Sequence, residues 1–593
     1  MLREVEAAAG AGRWAVGFVA FEAAAGFDPA LATRALPPGL PAAWFGLFGE
    51  PETVSGPPAP GRIPALRGGA GNARPLSPRL EASVSEAEYL EAIRAIRRAI
   101  ERGETYQANF TYRLRGRLGA PPGENVSPAL GLFARLVDAQ PNAAYATFLD
   151  LGDQAICSVS PELFFRRRGR EVVCRPMKGT APRGRTAEED RAAASALLAS
   201  AKDRAENVMI VDMTRNDLGR VARPGSVEVR RLFEVERYPT LFQLTSEVAA
   251  ETGAPLDELF SALFPCASIT GAPKVRTMEI LAELESTARG VYTGAVGFVA
   301  PHGRSRFSVA IRTAHVGEDA GGIRPLEYGT GGGVVWDSSA RGELAESRTK
   351  ALVITRPEPP FELLETLLWE PGRPGGGYRL LARHLDRLVA SAGYFDFPCD
   401  PDEARRRLAA LARGLPERPH KVRLLCARDG GLTLEAKVFE RRRTPWLVEL
   451  ARRPVDTRDR FLFHKTTRRL VYEEALDEAR AERPDLDDAL LWNREGELTE
   501  STVANLVLAL GGELVTPPVE SGLLAGTFRH ELLAQGKIRE RRLVREDLDR
   551  SQGIFLVSSV RGWIPARRAG GRWKEETSPA TAEFENEPVA LAG

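Results

Sequence analysis

The sequence is poor in cysteine and in lysine. Its five cysteines (Cys157, Cys174, Cys266, Cys399, Cys426) are scattered, with no CxxC pair. That spacing excludes a disulfide framework and a cysteine-rich zinc site, and points to reduced thiols in a cytoplasmic protein. No apolar run approaches the roughly 18 residues that would span a bilayer. The N-terminal WAVGFVAF is short, lies between Arg13 and Glu22, and is followed by no cleavage pattern. Net charge is lacking too. A balance of +1 over 593 residues, with no dense basic run, argues against a polyanion-binding protein. Neither nucleic acid nor membrane is expected as a partner.

Lysine is the most telling scarcity. Of 81 Lys+Arg, nine are lysine, so arginine stands almost wherever charge alone would do. A guanidinium stays protonated, whereas an ammonium can lose its proton and attack carbon. The surviving lysines are therefore candidates for chemistry, first Lys178 in RPMKGTAPRGR and then Lys465 in FLFHKTTRRL.

At 593 residues, with 43% hydrophobic and 27% charged, the chain has the balance of a soluble globular protein of several domains. The prolines of TRPEPPF deny helix and ladder hydrogen bonds. They predict a domain over 1–354, a linker over 355–360 and a second domain over 361–593. The Pro/Gly-rich run at 49–71 reads as a long loop inside the first. Ser85 with Glu88 forms a capping box that opens a helix, with Leu90, Ile93, Ile96 and Ile100 on one face and Gly103 at its end. AYATFLDL, AICSVS and RFSVAIRTAHV read as strands, and KVRLLCA with LTLEAKVFE as a hairpin through the DGG turn. Both halves are mixed α/β (α+β).

Polar clusters accompany Lys178. SPELF carries Glu162, DRAENVMIVDMTRNDLGR carries Asp203 and Glu206, and ASITGAPK carries Thr270 and Gly271. FSVAIRTA carries Arg312, GTGGGVVWDS carries Gly331, Gly332 and Gly333, and ELAESRTKA carries Glu343, Glu346 and Lys350. Carboxylates three apart on a helix share a face, and two such faces would make a hard-oxygen site for a magnesium ion that keeps several waters. Singly, such a pair is more often a solvated face. A glycine triplet is more often a turn, although it lets backbone N–H groups approach an anion.

As an ordered set, YQANFTYRL, SPELF, PMKGTAPRG, AENVMIVDMTRNDLGR, FPCASITGAPK, YTGAVGF and GGGVVWDS resemble the chorismate-utilising enzymes. These include anthranilate synthase, aminodeoxychorismate synthase component I, and the isochorismate and salicylate synthases. The resemblance implies layered antiparallel sheets with outer helices, and Mg2+ gripping the ring carboxylate of chorismate. By motif position it puts Glu206 and Glu343 on the metal, with Asp203 and Glu346 as neighbours. It puts Arg312, Lys350, Thr270, Gly271 and the glycines 331–333 on the substrate.

Anthranilate synthases of this family typically carry alanine where Lys178 stands, and aminodeoxychorismate synthases carry lysine. Isochorismate-type members also have lysine, as a base for water. In the lysine type the amine attacks C2 of chorismate and the C4 hydroxyl departs. Ammonia then enters at C4 and displaces the lysine, giving 4-amino-4-deoxychorismate. Glu162 matches the acid that protonates the departing hydroxyl, a role suited to a carboxyl of raised pKa. Burial and the nearby Arg175 and Arg183 are expected to keep Lys178 neutral. Many relatives have a histidine within YPTLFQLTSEV; here it is Gln243, which cannot exchange protons and leaves that work to Glu162. No cysteine sits in a glycine-flanked elbow, so ammonia is expected from a separate glutamine amidotransferase subunit or from solution.

In the second half, GELTESTVANLVL carries Glu500 and Asn505, and LVTPPVESGLLAGTFRHELL ends a strand and opens a helix at Gly526–Thr527. An anion at that helix start would meet backbone N–H groups and the dipole, with Arg387 of RHLDRLVASAGYF as counter-charge. These runs, with SVRG, resemble the class IV pyridoxal phosphate enzymes: branched-chain and D-amino-acid aminotransferases and aminodeoxychorismate lyase. The resemblance implies two α/β subdomains, a Schiff base on Lys465, and Glu500 on the pyridine nitrogen. It offers Arg387, Gly526, Thr527, Ser558 and Ser559 for the phosphate and Arg561 for a substrate carboxylate. Class IV relatives usually dimerise, which allows a homodimer through this half.

Together the two resemblances imply a bifunctional enzyme of 4-aminobenzoate (folate precursor) synthesis. A synthase would be followed by a lyase that releases pyruvate, and tethering would raise the local concentration of the intermediate. The alternatives are an amino-acid aminotransferase or a non-catalytic dimerisation module behind, or an anthranilate or isochorismate synthase in front.

Overall fold

A computed structural model describes residues 1–53, 79–119, 127–140, 143–318, 323–355, 360–374 and 376–569. Most of the 49–71 run and of the 355–360 linker lies outside the described residues. The chain divides into two compact units, Met1–Arg183 with Ala193–Pro360, and Gly184–Ala192 with Phe361–Gly593. The five cysteines are free thiols. Among the described residues no helix is long and apolar enough to cross a membrane.

The first unit is built on two antiparallel sheets. A nine-stranded sheet runs from Glu228–Arg237 through Leu241–Glu251, Glu171–Arg175, Leu163–Arg168, Arg304–Val309, Ala295–Ala300 and Trp14–Val19 to Ala43–Phe48. Met177–Pro182 pairs beside this path with Leu241–Glu251. A seven-stranded sheet has the order Gly271–Ala272, Gln107–Gly119, Ile323–Val334, Thr313–Val316, Ala155–Ser160 and Tyr145–Asp150, with Leu80–Ala82 pairing beside it. Phenylalanines anchor the larger sheet's core: Phe260 meets Phe165 and Phe307 edge-on, with ring centroids 5.5 and 5.1 Å apart, a geometry the ring quadrupoles favour.

The helix Glu86–Glu101 starts where the capping box places it. The Ser85 hydroxyl accepts from the Glu88 N–H and the Glu88 carboxylate from the Ser85 N–H, which stabilises the start by about 1 kcal/mol. Its buried stripe differs by a step from the one predicted. Tyr89, Ala92, Ile93, Ile96 and Ala99 are buried, while Leu90 and Ile100 flank the core.

RFSVAIRTAHV is not one strand. It breaks into Arg304–Val309 and Thr313–Val316, which belong to different sheets. The crossing needs a sharp turn of backbone, and Arg312 takes it with φ +50°, a strained conformation for a residue other than glycine and one that clusters at functional sites.

The second unit has a three-stranded antiparallel sheet, Leu363–Trp369, His420–Cys426 and Leu432–Val438, and an eight-stranded mixed sheet. In the mixed sheet Trp446–Leu450 pairs in parallel with both Asp488–Trp492 and Gly562–Arg568. The predicted hairpin turns at Asp429–Gly431, where Gly430 takes φ +87°.

Candidate active sites

A cavity of about 230 Å³ in the first unit brings together Glu162, Lys178, Asp203, Glu206, Arg312, Gly331, Gly333, Glu343, Glu346 and Lys350. The helix Ala201–Gly219 presents Asp203 and Glu206, and Ala340–Thr355 presents Glu343 and Glu346. Asn207 ties the first helix to the strand that bears Lys178. Its amide donates to the Lys178 carbonyl at 3.0 Å, and its oxygen accepts from the Ser246 hydroxyl at 2.5 Å. Gly179, at φ +100°, leaves room for Asp203, whose Cβ would stand 3.1 Å from an added methyl.

Glu162 is 3% exposed. Burial pushes its pKa up to about 7, against the Ser268 hydroxyl at 2.6 Å, the Met177 N–H and the charge of Lys178. Such a carboxyl can carry a proton at neutral pH and give it up. The Lys178 amine does not meet the arginines as expected. Arg175 is engaged by Glu236 at 2.6 Å and Arg183 donates to the Tyr238 carbonyl. Lys178 Nζ lies instead 3.6 Å from Glu206 Oε2, in an ion pair.

The four carboxylates expected at the metal come from two helices of the cavity wall. Among the described residues no three His, Cys, Asp or Glu side chains converge to hold a metal ion. Each carboxylate already has a partner: Glu206 has Lys178, Glu346 has Lys350 at 2.8 Å, Glu343 has the Ser338 hydroxyl at 2.6 Å, and Asp203 has its own cap, Ser200. The donor set is nonetheless all oxygen. Burial, and then the negative charge of Glu346, raises the Glu343 pKa. These residues fit an ion such as Mg2+, which takes one or two carboxylates and completes its shell with water and substrate.

Two of the motifs lie in a different setting from the one their sequences suggest. Thr270 and Gly271 do not line the cavity. The Thr270 hydroxyl bonds back to the Cys266 carbonyl at 3.1 Å, and a Cβ on Gly271 would meet the Gln107 carbonyl oxygen at 2.0 Å. Their run packs Gly271–Ala272 against Gln107–Gly119. Gly331–Gly333 form no loop either. They lie in the strand Ile323–Val334, opposite Thr111, Phe110 and Asn109, and Gly332 does not line the cavity. Glycine is needed there for space: a Cβ on Gly332 would stand 2.9 Å from Glu343 Oε2, and one on Gly333 2.3 Å from Lys178 Nζ.

A second cavity, of about 600 Å³, lies in the second unit and collects Arg387, Lys465, Glu500, Gly526, Thr527, Ser558, Ser559 and Arg561. The backbone of Lys465 is pinned to the strand Leu363–Trp369, its carbonyl accepting from the Leu364 N–H at 2.9 Å. Burial, with the charges of Arg387 and Arg469, pulls its pKa down to about 8. Burial pushes that of Glu500 up to about 7, although the Leu524 N–H, the Tyr472 hydroxyl and Asn505 all donate to it. Both groups are thus poised near neutrality in one cavity. This fits a cofactor with an aldehyde for the amine and a basic ring nitrogen for the acid. Gly526, at the start of the helix Thr527–Ala534, leaves no room for a side chain, since a Cβ would meet Asn505 Oδ1 at 1.9 Å.

Arg387 is not a free counter-charge. It grips Glu365 with two bonds, 2.8 and 2.7 Å, and donates to the Ala525 carbonyl. His384 shares the same carboxylate at 2.6 Å. Burial opposes the ionisation of Glu365, but the charges of Arg387 and His384 win and hold its pKa at about 2. Sequence reasoning missed Glu365, His384, Tyr472 and Ser268. Glu365 and Ser268 offered only a polar side chain in a largely apolar run, and His384 and Tyr472 lie in charged helical stretches that give no local signal.

Residues 65–356 match the family model described as chorismate binding enzyme, and residues 362–569 that described as amino-transferase class IV. Aminodeoxychorismate synthase component 1 of Bacillus subtilis is 38% identical over 277 residues, 46% of this chain and 56% of that protein. Anthranilate synthase component 1 of Thermococcus kodakarensis is 37% identical over 273 residues, 45% of this chain and 59% of that one. The chain thus spans somewhat over half the length of these two curated relatives. A solved structure, of a putative amino-acid aminotransferase from Mesorhizobium loti, is 36% identical, with 35% of this chain and 100% of that chain covered and a TM-score of 0.33. The chain therefore joins a chorismate binding enzyme region, residues 65–356, to an amino-transferase class IV region, residues 362–569.

Proposed function

We propose that this chain makes 4-aminobenzoate from chorismate and ammonia in two reactions, a 4-amination in the first unit and an elimination of pyruvate in the second. The observation that carries the reading is the sharing of one cavity by Lys178 and a buried Glu162 of raised pKa. Relatives called anthranilate synthase match about as well as those called aminodeoxychorismate synthase, so Lys178 does the choosing. The Lys178 amine bonds to C2 as the C4–O bond breaks, and Glu162 delivers its proton to the departing hydroxyl. Ammonia then bonds to C4 and the lysine leaves. Glu206 and Glu343, with Asp203 and Glu346 beside them, would hold Mg2+, which supplies a Lewis acid for the ring carboxylate. Arg312 and Lys350 would bind the substrate's carboxylates. Ammonia would come from a separate amidotransferase subunit.

In the second unit, Lys465 and Glu500 would hold pyridoxal phosphate at its aldehyde and ring nitrogen. Gly526, Thr527, Ser558 and Ser559 would surround its phosphate, with Arg387 nearby. Bound there, the cofactor supplies an electron sink. Lys465 then moves the proton that the elimination releases.

The whole reading is tested by incubating the chain with chorismate, Mg2+, pyridoxal phosphate and ammonium and reading products by mass spectrometry. 4-Aminobenzoate with pyruvate is expected. Anthranilate or isochorismate would overturn the first half. A second reading, favoured by the class IV family's own description, makes the second unit an amino-acid aminotransferase. An amino donor that converts the bound cofactor to its amine form, with no pyruvate from aminodeoxychorismate, would establish it.

Two further outcomes follow from the first cavity. Glu162→Gln lowers the amination rate by roughly 10²- to 10⁴-fold, the usual worth of a positioned acid. In the unchanged protein the rate falls as pH rises through about 7, because the acid is then deprotonated; a pH profile flat across that range would remove Glu162 from the role. Gly333→Ala should leave the unfolding midpoint nearly unchanged, since the colliding atom is the mobile end of Lys178. Amination should nevertheless drop on the order of 10²-fold, as the amine is displaced.

A further inference from the structure

Beside Arg561, which the class IV resemblance offers for a substrate carboxylate, the cavity of the second unit carries further cations with no assigned role. Lys421, Arg442 and Arg561 line it together with Trp446. Arg442 and Arg561 both stand over the Trp446 ring, 5.8 and 5.4 Å from its centroid, and Arg561 also over Phe439 at 5.4 Å. Lys421 lies directly opposite Lys437 across the paired strands His420–Cys426 and Leu432–Val438. Arg423, two residues along, shares its side of the sheet. Like charges opposed in this way destabilise a sheet. The fold compensates Arg423 with Glu435 at 3.5 Å, yet among the described residues no ion pair joins a carboxylate to Lys421, Arg442 or Arg561.

Four carboxylates line the same cavity, and three are engaged elsewhere. Glu500 takes Tyr472 and Leu524, Asp488 takes the Thr502 N–H, and Asp487 takes the Leu447 N–H. Burial, followed by the neighbouring cations, lowers the pKa of Lys421 and of Arg561. The cluster's electrostatic cost is therefore real, and an anion bound among the three would relieve it.

We propose that Lys421, Arg442 and Arg561 form a subsite for a second carboxylate, by which this cavity selects a ring-bearing dicarboxylate amine over an amino acid with a single carboxylate. The inference rests on the lyase reading and deepens it. An arginine fork takes a carboxylate through two parallel bonds, and the indole face holds the guanidinium in place. A substrate with an apolar side chain would leave these cations without a counter-charge, which is costly for the partly buried Lys421 and Arg561. Lys421 and Arg442 act here as specificity-determining residues; the proton transfer stays with Lys465.

The test uses the full chain loaded with pyridoxal phosphate. Pyruvate release from supplied 4-amino-4-deoxychorismate gives KM and kcat. Isothermal titration compares the dicarboxylate 3-(1-carboxyvinyloxy)benzoate with 3-ethoxybenzoate, which lacks the second carboxylate. The K421A/R442A double variant is expected to raise KM about tenfold or more, the scale of a lost charged hydrogen bond, while kcat holds. It should weaken one of the two dicarboxylate titration sites by the same factor, the other belonging to the first unit. The charge-preserving K421R, which leaves both arginines in place, should keep the wild-type preference, which guards against loss by misfolding. An unchanged KM with an unchanged titration in K421A/R442A overturns the subsite. If the wild type releases no pyruvate, the lyase reading fails by itself, and the titration still decides the subsite. Equal binding of the two probes at the second unit would reject it.

Discussion

Replacing Lys178 by alanine is expected to abolish the proposed amination of chorismate, with a loss on the order of 10⁴- to 10⁶-fold, the range observed when a residue acting at the reacting bond is removed. Pyruvate release from supplied 4-amino-4-deoxychorismate continues at its former rate. The effect is large because the other lysines of the cavity are placed elsewhere: Lys350 is held by Glu346 and the Gly331 carbonyl, and Lys202 is half-exposed and pairs with Glu206 at 4.0 Å. Lys178→Arg is equally inactive, since a guanidinium keeps its proton. The fold tolerates both changes because Asn207 holds residue 178 by its backbone carbonyl rather than its side chain. Mass spectrometry of the products decides the matter, and amination that persists in the alanine variant would eliminate the covalent route.

Lys465→Ala gives the second large effect. On the proposed function, the first reaction is expected to proceed, 4-amino-4-deoxychorismate to accumulate, and 4-aminobenzoate and pyruvate to fall below detection. The visible absorbance of lysine-bound cofactor is lost as well, which separates this outcome from a mere loss of substrate binding. The amine is set for its task by burial and by Arg387 and Arg469, which bring its pKa down to about 8. A lowered pKa means that the neutral, nucleophilic form prevails at lower pH than for a free lysine. Cofactor capture should therefore rise with pH and level off just above 8. Arg469→Ala removes one of the cations and should move that midpoint upward; a midpoint that stays fixed would show that Arg469 does not contribute, leaving burial and Arg387.

Much of the candidate chemistry was legible because it is local. Ser85 and Glu88 cap a helix three residues apart, and Asp203/Glu206 and Glu343/Glu346 share helical faces by spacing alone. The two lysines stood out because arginine had replaced nearly all the others. The charge that each of these groups meets was not legible. Glu162 is protonatable because the packed fold buries it, against the opposing hydrogen bond from Ser268, 106 positions away. Arg387 spends its fork on Glu365, 22 positions back, and Thr270 turns into the core instead of the cavity.

The sequence by itself determined the mixed α/β class, the two-part division, and which side chains could bond to carbon or hold a proton. Periodicity and side-chain chemistry reside in short stretches of chain, so they survive without coordinates. Only the tertiary structure decided that Gly331–Gly333 are a strand leaving space for Glu343 and Lys178, that the four carboxylates stand apart with lysines and hydroxyls between them, and that Lys421 and Arg442 join Arg561 in the second cavity. Those facts depend on strand register and on which elements pack together. Burial and pairing over tens to hundreds of residues set them, and no local pattern encodes either.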